Sequence, residues 1–251
     1  MSPYFELQPL VVGIFAAFPL KMFIHDNPGS EVVEAPCLAW LARGTDGRTV
    51  LVDTGPSEPT PLTAQFHVGL EVLPEHRIDS ALAAAGVDAS EVDTVVYTHL
   101  HFDHCGYGEL LPNAKFFVQS NELQYAVLPG EKQRVGYEVG YPGVLPQWMK
   151  IFDRLQPVEG VFEVVPGCTM VPLPGHTPGS AGVLFQTRKG RFAIVGDLVN
   201  RVENWRAPGG GHAAPGLHSS LDDCYSSFGV LEKEADSVLA SHDFRMLEET
   251  W

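Results

Sequence analysis

The sequence predicts an α/β fold that combines mixed β-sheets with helices. Short apolar runs recur along all 251 residues, helix-like stretches lie between them, and hairpin-like pairs of runs occur near both ends of the chain. Hairpins join antiparallel strands, whereas a purely parallel sheet needs a long crossover after every strand. We therefore expect an α/β sandwich rather than one parallel sheet.

Eight strands and three helices are predicted from the pattern of apolar residues. The strand-like runs are residues 37–42, 49–53, 95–98, 115–118, 169–173, 183–187, 192–196 and 237–240. Residues 79–85 form an alanine-rich helix that stops at Gly86, and residues 121–127 follow Ser120, a residue typical of an N-cap. Residues 220–234 have acids in the first turn and an apolar stripe at helical spacing: Leu221, Tyr225, Phe228 and Leu231.

Length and composition predict one domain, residues 1–251, with a large core, because 45% of the residues are hydrophobic. No window approaches the roughly 20 uninterrupted apolar residues of a membrane helix. The first twenty residues have no basic region and no small-residue cleavage site, so we expect no signal peptide and a cytoplasmic location. The widely spaced cysteines are then expected to be reduced thiols: Cys37, Cys105, Cys168 and Cys224.

The formal net charge of −15 bears on the partners of the chain. Such a surface repels phosphate backbones, so we expect no nucleic-acid partner. The acidity favours solubility and does not identify a substrate. We expect a small-molecule substrate and no membrane partner.

The segment from Thr98 to His104 places three imidazoles and a carboxylate within six positions, directly after an apolar run. Alternate residues of a strand share a face, so His99 and His101 point the same way. The turn that follows brings Asp103 and His104 to a second point nearby. Crowded neutral imidazoles gain nothing in packing and cost desolvation, so the motif indicates two adjacent cations with nitrogen and oxygen ligands.

Three more polar residues follow predicted strands at positions that core packing does not explain. His176 lies in a tight loop, residues 175–179, whose glycines and prolines limit its mobility. Asp197 and His242 each close an apolar run. Each residue alone is more often a turn residue or a satisfied core group. Together with the first motif, they offer the further nitrogen and oxygen ligands that two cations would need.

Together these motifs resemble the metallo-β-lactamase superfamily, and the resemblance covers essentially the whole chain. It implies an αββα sandwich, in which two mixed sheets carry helices on their outer faces and a metal site along one edge. Residues that match the family's ligands are His99, His101 and His176 for the first metal, Asp103, His104 and His242 for the second, and Asp197 as a bridge. Asp53 matches the aspartate that orients a ligating imidazole.

A pair of metals implies hydrolysis. A hydroxide that bridges two cations is available near neutral pH because the metals lower the pKa of water. One metal polarises a carbonyl oxygen while the hydroxide attacks, and both metals stabilise the resulting oxyanion. Asp103 is placed to take up a proton and pass it to the leaving group. The ligand set suits Zn²⁺, and iron, cobalt or manganese also fit it.

Within the superfamily the chain is most similar to the N-acyl homoserine lactonases, which are quorum-quenching enzymes. The similarity rests on residues 98–106, 118–119 with Glu122, 174–180 and 241–243. It implies a dinuclear lactonase, and a homodimer is common in this branch. Phe102 matches an aromatic residue that lines the substrate channel. Trp205 is expected to form a wall of the acyl pocket.

Two positions depart from the lactonase pattern. Asn200 stands where the lactonases usually carry a tyrosine that contacts the lactone carbonyl. An amide donates a hydrogen bond without the acidity or the reach of a phenol, and on this basis Asn200 is assigned a catalytic and substrate-binding role. Tyr107 and Gly108 replace a loop that is often glycine-rich with an asparagine. Tyr107, assigned to the substrate site, is a candidate for a replacement phenol together with Tyr137 and Tyr141.

Other activities stay open on the sequence alone. The same site would serve another ester or thioester hydrolase. A mononuclear iron persulfide dioxygenase shares much of the ligand set but leaves His104 and His242 unligated, so the metal count separates it from a lactonase. A degenerate binding module is disfavoured, because all seven ligand positions are filled.

The remaining histidines receive structural interpretations. His25 lies in a turn, and His67 and His76 flank an irregular stretch and are expected on the surface. His212 and His218 bracket a loop, and contact with a substrate head group is the lesser alternative for them.

Overall fold

The computed structural model describes residues 3–248 and 251. Their strands are β1 (Phe5–Pro19), β2 (Val32–Gly44), β3 (Thr49–Val52), β4 (Leu70–Glu71), β5 (Thr94–Val96), β6 (Lys115–Gln119), β7 (Leu155–Val158), β8 (Phe162–Val165), β9 (Cys168–Pro172), β10 (Ala181–Thr187), β11 (Gly190–Ile194) and β12 (Ser237–Leu239). Their α-helices are α1 (Leu20–Phe23), α2 (Ile78–Ala84), α3 (Ser120–Val127), α4 (Arg134–Tyr137), α5 (Val202–Trp205) and α6 (Leu221–Glu234). Short 3₁₀ segments are Pro74–His76, Ala89–Glu91, Gly108–Leu110, Glu131–Gln133, Gln147–Arg154, Gly196–Leu198 and Phe244–Leu247.

The described strands form two mixed sheets. The first has the order β4-β1-β2-β3-β5-β6-β7, in which β1 and β2 form a long antiparallel hairpin and β3, β5, β6 and β7 run parallel. The second has the order β12-β11-β10-β9-β8, with antiparallel neighbours except for the parallel pair β11 and β12. The predicted sandwich of mixed sheets is therefore confirmed.

Both faces of the first sheet are buried, as β2 shows. Trp40 and Ala42 pack into the cluster shared with the second sheet, whereas Ala39 and Leu41 pack into the cluster shared with α2 and α3. Because successive side chains of a strand point to opposite faces, a strand covered on both sides has an unbroken apolar sequence. Helix α6 covers the second sheet through Phe228 and its neighbours. The layers are thus helix, sheet, sheet and helix.

All eight predicted strands overlap observed strands, and four strands, β1, β4, β7 and β8, were not predicted. The predicted runs 49–53, 95–98 and 192–196 extend past β3, β5 and β11, because the residues after each strand stay buried as they turn towards the same edge of the sandwich. In β1, register shifts between Val11 and Gly13 and between Phe15 and Phe18 break the alternation of side chains that marks a strand.

The three predicted helices are present as α2, α3 and α6. Ser220 is the N-cap of α6, where its side chain accepts a hydrogen bond from the Asp223 N–H. Ser120 is the first residue of α3 rather than its N-cap. The predicted stripe on α6 is wrong at Tyr225, which is half exposed while Cys224 is buried, because the face against the sheet is centred one residue earlier.

The structure bears on two expectations, the absence of a membrane-spanning helix and the reduced state of the cysteines. None of the helices in the described part of the chain combines the length and the apolar character that a membrane crossing requires. All four cysteines are buried and free, as predicted. Burial raises the pKa of the Cys37 and Cys105 thiols well above the usual range, so these two residues are neutral.

Candidate metal centre

Five strand ends meet at one edge of the sandwich and present the polar residues of the site. In the first sheet, β3 is followed by Asp53 and β5 by the motif residues 99–104. In the second sheet, β9, β11 and β12 are followed by His176, Asp197 and His242. All of the predicted ligand residues are at least nine-tenths buried. The two sheets are tied together here by a 2.9 Å hydrogen bond from the Ala181 N–H to the carbonyl oxygen of Thr98.

Three imidazoles face one another in the first of two clusters. His176 Nε2 lies 3.2 Å from His99 Nε2 and 3.0 Å from His101 Nδ1. The hydrogen bonds of the Nδ1 atoms of His176 and His99 show that these two nitrogens carry the ring hydrogens. His176 Nδ1 donates to the carbonyl oxygen of Leu217. His99 Nδ1 donates to Thr98 Oγ1, whose own hydrogen goes to a carboxylate. The two Nε2 lone pairs therefore face each other, an arrangement that a bound cation stabilises.

Asp197 joins the second cluster to the first. Its Oδ1 lies 3.1 Å from both His104 Nε2 and His242 Nε2, and its Oδ2 lies 3.6 Å from His176 Nε2. Asp103 Oδ2 lies 3.8 Å from His104 Nε2 and 3.7 Å from His242 Nε2. One ligand atom from each of Asp103, His104, Asp197 and His242 lies within 4.8 Å of the others, as do those of the three imidazoles in the first cluster. The predicted ligands therefore form two adjoining groups.

The second cluster also fits a cation. His104 Nδ1 donates to Asp53 Oδ2, and His242 Nδ1 donates to the carbonyl oxygen of Pro36, both at 2.8 Å. In the neutral rings, the Nε2 lone pairs of both histidines point at Asp197. Within residues 3–248 and 251, no lysine or arginine forms an ion pair with either buried carboxylate of the cluster. Buried charges need a partner, and here it is left to protons or metal ions.

The pKa values of the imidazoles shift in opposite directions in the two clusters. Burial, reinforced by neighbouring imidazoles, holds the pKa values of His99 and His101 well below the usual range, and burial also lowers the pKa of His176. Burial acts against charge on His104 and His242 too, but the nearby carboxylates outweigh it and raise their pKa values. The first cluster thus holds neutral ligands, and the second exchanges protons for a cation.

Neighbouring side chains orient these ligands. Asp53 accepts hydrogen bonds from the backbone N–H and the hydroxyl of Thr98, both at 2.8 Å, and from His104. Its backbone is left-handed, with φ of +58°, a conformation that such contacts support. Ser241 Oγ donates to Asp197 Oδ1 at 2.9 Å. Asp53 therefore makes the contact that its predicted orienting role requires.

The tight loop predicted around His176 is present. Gly175 has φ of +141°, and a Cβ on it would lie 2.6 Å from the backbone nitrogen and the sulfur of Cys224. Only glycine allows α6 to approach the loop this closely. Gln133 Nε2 donates to the carbonyl oxygen of His176 at 3.0 Å, which restrains the loop from the other side.

A cavity of about 210 Å³ opens onto both clusters. The two clusters contribute His101, Asp103 and Asp197 to its wall, and the other polar residues that line it are His67, Lys132 and Asn200. The remainder of the wall is mainly apolar, and its larger members are Phe15, Phe18, Met22, Phe23, Phe66 and Phe102. Such a pocket suits a ligand with a polar head at the carboxylates and an apolar tail.

The structure separates the residues that were expected to contact substrate. Phe102 and Asn200 line the cavity, whereas Tyr107 and Trp205 are not part of its described wall. Tyr107 has a left-handed backbone that directs its hydroxyl to the Glu58 N–H, from which it accepts a hydrogen bond. Trp205 stacks on His212 with 4.3 Å between ring centroids, beneath α6.

None of the three tyrosines considered as a replacement phenol belongs to the described cavity wall. Tyr137 donates its hydroxyl to buried Glu122 at 2.6 Å, and Tyr141 stacks behind Phe66. The amide nitrogen of Asn200 donates to backbone carbonyl oxygens, while its Oδ1 is buried without a partner. Asn200 therefore offers no free donor for a carbonyl oxygen in this arrangement.

The expectation that His67 and His76 lie on the surface is wrong. They are only 6% and 8% exposed. Most residues of the irregular segment between β3 and α2 are exposed or half-buried, but His67 and His76 turn inward from it, and Phe66 and His67 reach the cavity wall. His67 Nε2 lies 3.0 Å from Glu138 Oε1, and His67 lines the cavity. The aromatic wall from β1 was also missed, because the register shift between Phe15 and Phe18 breaks the alternation by which a strand is predicted.

A family model described as the Metallo-beta-lactamase superfamily matches residues 32–242. The chain belongs to the metallo-beta-lactamase superfamily. An N-acyl homoserine lactonase from Bacillus sp. is 31% identical over 228 residues, which cover 86% of this chain and 84% of the relative. The N-acyl homoserine lactonase AttM from Azorhizobium caulinodans is 29% identical over 170 residues, which cover 64% of this chain and 61% of the relative.

Solved structures show the same superfamily fold. A Bacillus thuringiensis AiiA variant with N-decanoyl-L-homoserine at its active site has a TM-score of 0.77 and 21% identity, covering 99% of this chain and 96% of its own. AidC, a dizinc quorum-quenching lactonase in complex with a product, has a TM-score of 0.67 and 16% identity, covering 97% and 89%. The predicted superfamily, its sandwich fold and the resemblance to lactonases are confirmed.

A substitution at Gly136 tests whether metal binding depends on the position of the His101 ring. A Cβ at Gly136 would lie 2.6 Å from His101 Cδ2 and 2.8 Å from its Nε2. His101 is buried among other rings and has no room to move, so we expect Gly136→Ala to weaken metal binding by at least about tenfold. The measurement is a competition titration against a chromogenic chelator.

Gly229→Ala is the matched control, because Gly229 lies in α6 with no described atom within 4 Å of the added Cβ. It should keep the wild-type metal affinity and stabilise the helix by about 0.5–1 kcal/mol. Equal metal affinity in the Gly136 and Gly229 variants would show that the cluster tolerates a displaced His101.

Proposed function

We propose that this protein opens the lactone ring of N-acyl homoserine lactones at a centre of two divalent metal ions, for which zinc is the first choice. Its superfamily and its lactonase relatives make it a metallohydrolase that acts on ester bonds. The lactone substrate, the dinuclear centre and the metal identity are the proposal. The residues that would hold the ions are His99, His101 and His176 for one, Asp103, His104 and His242 for the other, and Asp197 for both.

The observation that carries the proposal is the meeting of two ligand clusters with one mainly apolar cavity. Asp103 and Asp197 belong to the second cluster and also line the cavity, so a ligand in the cavity lies against the metal ligands. An N-acyl homoserine lactone has the matching form, a small polar ring joined through an amide to an apolar chain. Its lactone would lie at the carboxylates and its chain along the aromatic wall. The bound products in the AiiA variant and AidC support this choice.

Both clusters support a dinuclear centre over a single iron. A mononuclear site would leave His104 and His242 without a ligand role, yet both direct Nε2 to Asp197 at 3.1 Å. Two bound ions would supply positive charge beside a carbonyl oxygen and lower the pKa of water. That AidC is described as a dizinc lactonase favours zinc.

The residues of the chain then have separate tasks. Asp103 lines the cavity with a carboxylate that is about one-tenth exposed, so it can take up a proton beside the lactone and return it to the ring oxygen as the ester bond breaks. Asp53 holds the ring of His104, and Ser241 holds Asp197. Phe102 and the other aromatic residues exclude water from the acyl chain. Asn200 shapes the wall, because its amide nitrogen already donates to backbone carbonyl oxygens.

Proton release tests the proposal, because opening a lactone ring gives a carboxylic acid that ionises near neutral pH. Zinc-loaded protein is expected to acidify a weakly buffered solution of a medium-chain N-acyl homoserine lactone rapidly. Removal of the metal by a chelator should abolish the acidification, because no cation would then polarise the lactone carbonyl or lower the pKa of water. The measurement is a pH-indicator assay.

Refilling the chelated protein with Zn²⁺ is the control and should restore the rate. Absence of acidification by protein that contains two metals per chain would show that the lactone proposal is wrong. Other esters and thioesters would then be the substrates to examine at the same centre.

A further inference from the structure

A buried histidine–glutamate pair in the cavity wall takes no part in the metal clusters. His67 Nε2 lies 3.0 Å from Glu138 Oε1, and both side chains are only 3% exposed. Gln147 Nε2 donates to the second carboxylate oxygen of Glu138 at 3.2 Å. Glu138 has a left-handed backbone, with φ of +55°, which is costly for a residue other than glycine unless its contacts support it. The surrounding structure therefore holds this carboxylate behind the imidazole.

One edge of the His67 ring is left for a ligand. A carboxylate only accepts hydrogen bonds, so Nε2 donates to Glu138. Nδ1 has no hydrogen-bond partner in the described part of the chain. It is also not fully buried, so a ligand can reach it. One face of the ring is covered by Phe102, with 3.5 Å between centroids and 20° between planes. His67 lines the cavity, and Nδ1 is the ring nitrogen that remains available to a ligand there.

Packing alone does not explain a polar ring at this position. The neighbours in the cavity wall, Phe66, Val68 and Phe102, are apolar, and a phenylalanine would stack equally well. Burying an imidazole and a carboxylate together costs desolvation that an apolar ring avoids. Phe102, on which His67 stacks, lies between His101 and Asp103 in the sequence, and all four residues line the cavity.

We propose that His67, oriented by Glu138, is a specificity-determining residue that hydrogen-bonds a hydroxyl group on the acyl chain, near the amide of the substrate. The inference rests on the proposed function. A hydroxyl both donates and accepts hydrogen bonds, so it pairs with Nδ1 whether that atom carries a lone pair or a hydrogen. A keto oxygen only accepts and pairs with the protonated ring alone. The hydroxylated chain is therefore the substrate class that this edge recognises.

The test compares wild-type enzyme on three N-acyl homoserine lactones of equal chain length. One has an unsubstituted chain, one has a hydroxyl close to the amide, and one has the hydroxyl at the far end of the chain. We expect a KM about tenfold lower for the lactone with the hydroxyl near the amide, with kcat nearly unchanged. The wild-type comparison decides the inference even where a variant does not fold.

The variant is His67→Phe combined with Glu138→Gln, which keeps the ring stack on Phe102 and leaves no unpaired buried carboxylate. It should bring the three KM values together. His76→Phe replaces a buried histidine outside the described cavity wall and should keep the wild-type ratio. A lower rate on all substrates with an unchanged ratio would mark His67 as structural and overturn the inference.

The outcomes separate the inference from the proposed function. Equal KM values for the three lactones in the wild type would overturn the role of His67 and leave the lactonase proposal intact. Hydrolysis of none of them by metal-loaded enzyme would overturn the proposed function, and the inference with it. A lower KM for the hydroxyl near the amide, lost in the double variant and kept in His76→Phe, would support the inference.

Discussion

The Asp197→Ala variant is expected to lose bound metal and hydrolytic activity together. The carboxylate of Asp197 contacts His104 and His242 through one oxygen and His176 through the other, so it links the second cluster to the first. Without it, two cations would face each other with less negative charge between them. We expect the rate of lactone hydrolysis to fall at least about a thousandfold, which corresponds to about 4 kcal/mol of transition-state stabilisation. Elemental analysis and the proton-release assay measure the two losses.

Asn200→Ala is the matched control for this experiment. Asn200 lines the same cavity three residues later, yet it contributes no atom to either ligand cluster. We expect this variant to keep two metals per chain and to change mainly KM. An Asp197→Ala protein that retains two ions and hydrolyses the lactone at the wild-type rate would contradict the bridging role.

Of the residues predicted as metal ligands, those in the motif could be identified because they lie together in one short segment of sequence. The alternation of side chains in a strand predicted that His99 and His101 share a side, whereas β5 ends at Val96, before both residues. His176, Asp197 and His242 are isolated in sequence, and only the family resemblance connected them to the motif. The structure brings them together because the strands that precede them end at the same edge of the sandwich.

The cavity wall could not be predicted in the same way, because it is assembled from distant segments. Phe15 and Phe18 come from β1, whose register shifts hide its strand pattern. His67 comes from an irregular segment, and irregular sequence says nothing about burial when the segment folds over a site. Tyr107 was assigned to the substrate site as a candidate for a replacement phenol, but it lies outside the described cavity wall, and its hydroxyl accepts a hydrogen bond from the Glu58 N–H.

Glu122 links three parts of the molecule beneath the first metal cluster. This buried carboxylate accepts hydrogen bonds from the Leu100 N–H at 2.9 Å, from the Tyr137 hydroxyl at 2.6 Å and from the Thr177 hydroxyl at 2.6 Å. The three donors belong to the metal motif, to α4 and to the loop of His176. Burial raises the pKa of Glu122, while the three donors act in the opposite direction. The residue therefore fixes the loops that carry three ligands.

Glu122→Ala is expected to destabilise the metal-free protein by about 4 kcal/mol, because it leaves three donors without their partner in the interior. Urea unfolding in the presence of a chelator measures this, since bound metal would otherwise add its own stabilisation to the folded state. Glu131→Ala, which removes an exposed carboxylate, is the matched control and should change the free energy of unfolding by less than about 0.5 kcal/mol. If the two variants unfold at the same urea concentration, Glu122 does not connect the loops energetically, and the metal ligands must be held in place by their own hydrogen bonds alone.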